Sequence, residues 1–475
     1  MKSISLVGLA LALIGTLAGC GASRSGQPAQ PPPIGTHHPP PKPVVDAFQA
    51  ALGRLVQLDK TGGWNETACA QVAGQFLSAE KQQPGGRLPS ARYNAGLAEQ
   101  RCSHDAQARE HFRAALAAEP SMSRARVQLA LYELKDKGDS ALDSTIERLQ
   151  ESVLSAKFQD VDALINLAML EMRRGAAKAW QGCTNDEDCA KINIRRALAI
   201  DDGYMPAFNQ LALYYLALAR AKTGQQQQGL VAGKARTSRL SGQMLDLSAL
   251  VCSQAIRKNP HYAPIHNTAG LVQVELGNIN SAVQEFNVAR EIDPGFFEAQ
   301  MNYAAVNLSF RGYDQAENAY RRALSIRPSS YEAHLGLALA LRGQINDGNW
   351  DNKLKETQTE LDRCKTLSGE RPEAWYNEAI LTQEYKSKIS SGDPKQVIAV
   401  LKQASATFDT FIKKAGSASQ YQEAVKRSSE RKKDLDDTII FLEQALKGGA
   451  ANPPADAQPA PPPASPAGLE EDGQG

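Results

Sequence analysis

The chain has 475 residues, 42% hydrophobic and 22% charged, with 53 basic against 52 acidic side chains. So even a balance excludes the basic surface that nucleic acid demands. Aromatics are scarce at 6% beside abundant alanine, as close helix packing requires, and the length suits two or three globular domains or one repeat array.

Met1-Lys2 is a short basic start, and Ile4 to Leu17 is an apolar stretch too short to cross about 30 Å of hydrocarbon. It leads into Leu17-Ala18-Gly19-Cys20, which resembles the bacterial lipobox. Residues 1–19 therefore read as a lipoprotein signal peptide, and Cys20 as the first mature residue, lipidated through its sulfur and its amine. An ordinary signal peptide with an incidental cysteine is the alternative. Each buried methylene of an acyl chain adds about 0.8 kcal/mol, so several chains make attachment stable. Cleavage removes one charge, Lys2, and leaves 52 basic against 52 acidic residues. Residues 20–43 carry Pro31-Pro32-Pro33 and Pro39-Pro40-Pro41 and read as a polyproline tether of about 3.1 Å per residue. His37-His38 within it has no further ligand nearby and reads as solvated.

From 44 to 447 the chain is organised by one frame. Gly270, Ala282, Phe286, Ala289 and Pro294 recur 34 residues later as Ala304, Ala316, Tyr320, Ala323 and Pro328. The same spacing appears upstream as Gly96, Ala108, Phe112, Ala115 and Pro120. Small residues let two antiparallel helices approach, the aromatic wedges between neighbouring pairs, and the proline closes the second helix. This is the tetratricopeptide (TPR) period. It predicts an all-α, tetratricopeptide-repeat superhelical solenoid of about eight units from residue 89. Amphipathic stretches at 44–82 and about 419–447 read as polar-faced capping helices. Residues 448–475, Ala/Pro-rich and ending near Glu470-Glu471-Asp472, read as a disordered tail.

Units start at 89, 123, 161, 205, 263, 297 and 331, with a degenerate eighth at Ala374-Trp375-Tyr376-Asn377. The sizeable insertions fall between the two helices of a unit: about ten residues in the third, about 24 in the fourth (about Thr223 to Gln243), and one around Asn346 to Asn349 in the seventh. Export would place the remaining six cysteines in an oxidising compartment. Cys183 and Cys189 would close a small acidic loop, and Cys69 and Cys102 lie on neighbouring antiparallel helices. Both pairs read as disulfides, with free thiols as the alternative. Cys252 is expected in the core at the bulky point of a second helix, and Cys364 at the equivalent site of the seventh unit. Asp186-Glu187-Asp188 lacks the spacing and the glycine of a calcium loop.

No pattern for catalysis, metal or cofactor emerges, and the chain reads as a non-enzyme without a small-molecule substrate. Gly229 to Lys234 has too few residues between its glycines for a phosphate loop, and Ala235 stands where a hydroxyl is needed. The basic run Arg220, Lys222, Lys234, Arg236 and Arg239 reads as a solvated loop, or as a contact for acidic envelope partners. In TPR folds the first helix of each unit lines a partner groove. Its fifth and ninth positions here give Tyr93, Leu97, Val127, Leu131, Ile165, Met169, Leu213, Leu271, Met301, Leu335, Leu339, Tyr376 and Ile380. That line is apolar. It lacks the lysine–asparagine clamp of chaperone-binding relatives and suits an amphipathic helix or an extended segment, whether a partner's or the protein's own tail or cap. Asn94, Asn166, Asn302 and Asn377 recur at the sixth position, either to hold a peptide backbone or to serve packing within the helix.

With its lipobox, proline tether and long repeat array, the chain resembles the TPR lipoproteins of bacterial envelope machines. Among these it is most similar to the outer-membrane TPR lipoprotein of the myxobacterial adventurous gliding-motility complex. The resemblance implies an assembly role among periplasmic and outer-membrane proteins. It also implies delivery to the outer membrane, since Gly21 rather than aspartate follows Cys20. The other readings are a pilotin or secretin-assembly lipoprotein and a polysaccharide-export accessory lipoprotein.

Overall fold

The structure, a computed structural model, describes residues 40–61, 63–227, 239–389 and 393–447. The expected signal peptide, Cys20, the tether and the Ala/Pro-rich tail lie outside the described residues. The described chain is helical and divides into two units at Phe296/Phe297.

The N-terminal unit contains α1 (Lys42–Thr61), α2 (Glu66–Gln82), α3 (Pro89–Arg101), α4 (Asp105–Ala118), α5 (Ser123–Lys137), α6 (Leu142–Ser155), α7 (Val161–Arg174), α8 (Asp186–Ile200), α9 (Met205–Gln227), α10 (Arg239–Lys258), α11 (Ala263–Glu275) and α12 (Ile279–Ile292). The C-terminal unit contains α13 (Phe297–Ser309), α14 (Tyr313–Ile326), α15 (Tyr331–Gly343), α16 (Trp350–Leu367), α17 (Glu373–Leu381), a π-turn (Thr382–Lys386), α18 (Ser387–Ile389), α19 (Pro394–Ala415) and α20 (Gln422–Lys447). Consecutive helices pack as antiparallel pairs, each against the next, so each unit is a stack of TPR-type hairpins in the register expected from sequence.

The frame is the core. Ala108, Phe112, Ala115, Ala282, Phe286, Ala289, Ala316, Tyr320 and Ala323 are wholly buried. Burying one such aromatic contributes roughly 1.5–3 kcal/mol. The close approach is literal: a Cβ on Gly270 would stand 2.5 Å from the Phe286 ring, and one on Gly96 2.7 Å from Phe112. A Cβ on Gly336 would clash with the Tyr320 ring of the preceding hairpin. Glycine is there for room, not for backbone freedom.

A second device latches one hairpin to the next. The side-chain N–H at the fourth position of a first helix donates to a carbonyl six residues back, at the proline point. Arg126 reaches Pro120 (2.7 Å), His266 reaches Pro260 (2.9 Å), His334 reaches Pro328 (2.9 Å) and Trp375 reaches Gly369 (3.1 Å). These bonds satisfy a carbonyl past the end of the second helix. The sequence reading missed them, although the constant separation of six was visible.

The structure also changes four expectations. The amino-terminal cap is itself a degenerate hairpin: Val72, Phe76, Ala79 and Pro84 stand 36 residues before Ala108, Phe112, Ala115 and Pro120, and the first three are wholly buried. Much of the fourth-unit insertion is helix, since α9 runs to Gln227 and α10 starts at Arg239. Its run of glutamines forms helix readily, and the Ser241 hydroxyl donates to the Ala219 carbonyl (3.0 Å), pinning the extension. Cys364 does not hold the bulky point of its helix. Leu361 does, and Cys364 takes the small-residue point, its thiol 3.6 Å from the Tyr331 carbonyl. The outer face of α20 is not wholly polar, because Ile440 and Phe441 are exposed on it.

Replacing Gly270 with alanine is expected to destabilise the chain by about 1–3 kcal/mol in urea unfolding, because the ring beneath must shift. Tyr320→Phe, which removes a buried hydroxyl without a partner, should leave stability equal or higher.

Candidate interaction surfaces

The residues predicted to line a groove sit mostly inside the stack. Tyr93, Leu97, Val127, Ile165 and Leu271 are buried in the N-terminal unit, and Met301, Leu335, Tyr376 and Ile380 in the C-terminal unit. Leu131, Met169, Leu213 and Leu339 are half-buried. Second helices close on the two aromatic members of the line. Tyr93 packs on Phe112 at 5.6 Å between ring centroids, and Tyr376 on Phe411 at 5.0 Å. Burial pushes the Tyr93 hydroxyl well above its ordinary pKa.

The recurring asparagines are anchored within their own helices. Asn94, Asn166 and Asn377 donate to carbonyls four residues back, of Ser90 (2.7 Å), Asp162 (2.8 Å) and Glu373 (2.8 Å). This favours the packing role over a peptide clamp. Asn377 also accepts from Arg342 Nη1 at 3.0 Å.

Both expected disulfides are present, with Cα–Cα separations of 6.3 Å for Cys69–Cys102 and 5.0 Å for Cys183–Cys189. Cys69–Cys102 is one of several ties between the first hairpin and the next, the Arg92–Glu80 ion pair being another. Arg101 binds Asp59 through two bonds (2.9 and 3.1 Å), and His104 bridges Glu99 (2.6 Å) and Glu66 (2.7 Å). With a carboxylate at each ring nitrogen, led by the hydrogen bond to Glu99, the His104 pKa is raised. One carboxylate of the acidic loop is neutralised: Asp186 is buried and accepts from Arg174 Nε (2.7 Å), Arg174 Nη2 (2.6 Å) and the Ala176 N–H (2.7 Å). Among the described residues no group of His, Cys, Asp and Glu is placed to hold a metal ion. Cys252 and Cys364 are free and buried, and burial pushes both thiols up to about 12.

Of the basic run, Arg220 pairs with Glu275 at 2.6 Å, which ties α9 to α11. The side chains at Lys222, Lys234, Arg236 and Arg239, and the stretch Gly229 to Lys234, lie outside the described residues. Exposed apolar side chains appear where sequence reasoning did not look: Leu240, Leu247 and Leu250 on α10, and Ile440 and Phe441 on α20. Spacings of three, seven and ten place the α10 set on one helix face, and the α20 pair is adjacent, a signal that the frame-based reading passed over.

Glu171 is a fully buried carboxylate without a cation of its own. Asn193 donates to its Oε2 (3.1 Å), and Oε1 has no partner. The nearest guanidinium, Arg174, is committed to Asp186 and Asp143. Burial raises the Glu171 pKa to about 8.

These hairpins, with their frame and latches, give the chain the fold of a tetratricopeptide-type helical-repeat protein. No protein-family model and no curated protein matches it. Among solved structures it is similar to a thermophilic TPR protein of Thermus thermophilus, at 23% identity over 46% of this chain and 99% of that one, with a TM-score of 0.37. It is similar also to a tetratricopeptide repeat protein from Parabacteroides merdae (16% identity, 65% and 99%, TM-score 0.36). A third is pilF of Pseudomonas aeruginosa (16% identity, 56% and 97%, TM-score 0.35).

Non-reducing peptide mapping should recover Cys69–Cys102 and Cys183–Cys189 as linked pairs, with Cys252 and Cys364 alkylated only after unfolding. Opening the first pair, which spans 33 residues against 6, should cost about 4 kcal/mol against about 2 for the second, by loop entropy.

Glu171→Gln should stabilise the chain at pH 8–9 by about 1–3 kcal/mol and do nothing near pH 4. The folded-state pKa lies above the unfolded one, so the folded chain binds more protons between about pH 4.5 and 8. Stability from this group is therefore lost as the pH rises through that window. A gain from Glu171→Gln that is the same at pH 4 and pH 9 would contradict the buried-acid account.

Proposed function

We propose that the chain is a lipid-anchored scaffold of a bacterial envelope machine. It is held at the outer membrane through Cys20, faces the periplasm, and binds other periplasmic and outer-membrane proteins. The machine we assign is the gliding-motility apparatus, on the resemblance of overall layout. The observation that carries the scaffold reading is the arrangement of the chain itself. A lipobox and proline tether precede helix pairs whose packing frame is internal, so the surface remains available for display. Insertions in the third, fourth and seventh units enter between the helices of a pair and leave the stack uninterrupted. No described helix is long and apolar enough to cross a membrane. Partners would be met along the first-helix face, where Leu131, Met169, Leu213 and Leu339 are the accessible apolar points within their respective units. A partner's amphipathic helix or extended segment fits that chemistry.

Cys20→Ala is expected to move the protein from the membrane fraction to the soluble periplasmic fraction. A deletion strain should lose single-cell gliding while its pili stay intact, and cross-linked envelopes should yield motility proteins with this chain. Normal gliding in the deletion strain would sink the motility assignment. A secretin-assembly defect, or co-purification with a polysaccharide synthase, would put one of the other envelope machines in its place.

A further inference from the structure

Among the described residues, the last helix of the C-terminal unit is covered on one side only. α20 turns Ala424, Ser428, Leu435 and Ile439 inward, where the apolar ones pack among the buried residues of α19. Its rim is tied to α19 by Lys402–Glu443 (2.6 Å) and by the Ser405 hydroxyl donating to Asp436 (2.9 Å). The opposite face carries Ile440 at 52% exposure and Phe441 at 67%. α20 stands where the first helix of another hairpin would begin, and among the described residues no second helix follows it. The next 28 residues contain seven prolines and a single large apolar side chain, Leu469. None of them is aromatic, so the alanine–aromatic–alanine frame is absent from their sequence.

We propose that a second copy of α20 covers this face, in an antiparallel helix pair about a two-fold axis. The stripe is complementary to itself in one register. If Ile440 is set on the partner's Phe441, the same symmetry brings Asp437 opposite the partner's Gln444. It also brings Asp434 opposite the partner's Lys447. No like charges meet along the stripe, and one ion pair closes each end. Sliding the register by one turn, to centre on 437, would oppose Asp437 to its own copy and set Asp434 on Ile440. Charge thus selects the register that also stacks the apolar pair.

The full mature chain, lipidated and in detergent, should show a monomer–dimer equilibrium by sedimentation, with a Kd on the order of micromolar, as expected for a small interface. Phe441→Glu should raise that Kd at least about tenfold without moving the melting temperature, because the residue is exposed. Asp434→Lys should weaken the dimer, and adding Lys447→Asp should restore it. A chain that stays monomeric up to about 100 μM, far above the expected Kd, overturns the proposal; an amphipathic partner helix would then be the occupant to seek. A dimer indifferent to Phe441→Glu, or a charge swap without rescue, overturns it equally. These outcomes are independent of which envelope machine the chain serves.

Discussion

Everything in this fold depends on an aromatic ring pressed against a helix that has no side chain at that point. Phe112 on Gly96 and Phe286 on Gly270 bring two helices of one hairpin together, and Tyr320 on Gly336 brings together two hairpins. Such a contact is worth little alone, but each hairpin has an apolar face it cannot bury alone, and stacking closes it. Hence a chain with few aromatics can hold so long a helical body. Small residues supply the closeness, and a ring or an aliphatic side chain at the bulky point supplies the shape.

That division of labour explains which parts were legible. The fold and the unit boundaries follow from five residue types at fixed offsets, because the packing geometry leaves no other choice at those points. Degenerate hairpins are harder to read. The α5–α6 hairpin uses Thr145, Leu149 and Ser152 where α3–α4, α11–α12 and α13–α14 use alanine, aromatic and alanine. The first hairpin reads as a cap because its first helix is longer, although Phe76 and Pro84 keep the offsets. The Cys364 expectation fails through a register error of three residues in a helix whose bulky point is Leu361.

The proposed site was less legible than the fold. First-helix positions five and nine are defined by the repeat, but their exposure is set by how closely the surrounding helices approach. With small side chains at the frame points the helices come near enough to bury Val127 and Ile165 to 3% and 4% exposure. A pattern of residue types cannot report that distance. The asparagine line misled for a related reason. An amide on a helix can reach the carbonyl four residues back, and Asn94, Asn166 and Asn377 do so, which leaves one N–H and the carbonyl oxygen of each for any other partner.

The ends of such a stack obey a different rule from its middle. An internal first helix is covered on both sides by its neighbours, so its apolar face needs only to match the frame. A terminal helix must be polar on the outside or find a cover from elsewhere. α1 takes the first course, with Asp46, Gln49, Arg54 and Gln57 on its exposed side. α20 begins the same way, with Glu430, Lys433, Asp434 and Asp437 outward, and then departs from it at Ile440 and Phe441. Solubility alone would continue the charged pattern to the end of the helix. Two adjacent large apolar side chains there expose surface that a monomer gains nothing by exposing, and in the antiparallel register the flanking Asp434 meets the opposite charge of Lys447 from the second copy.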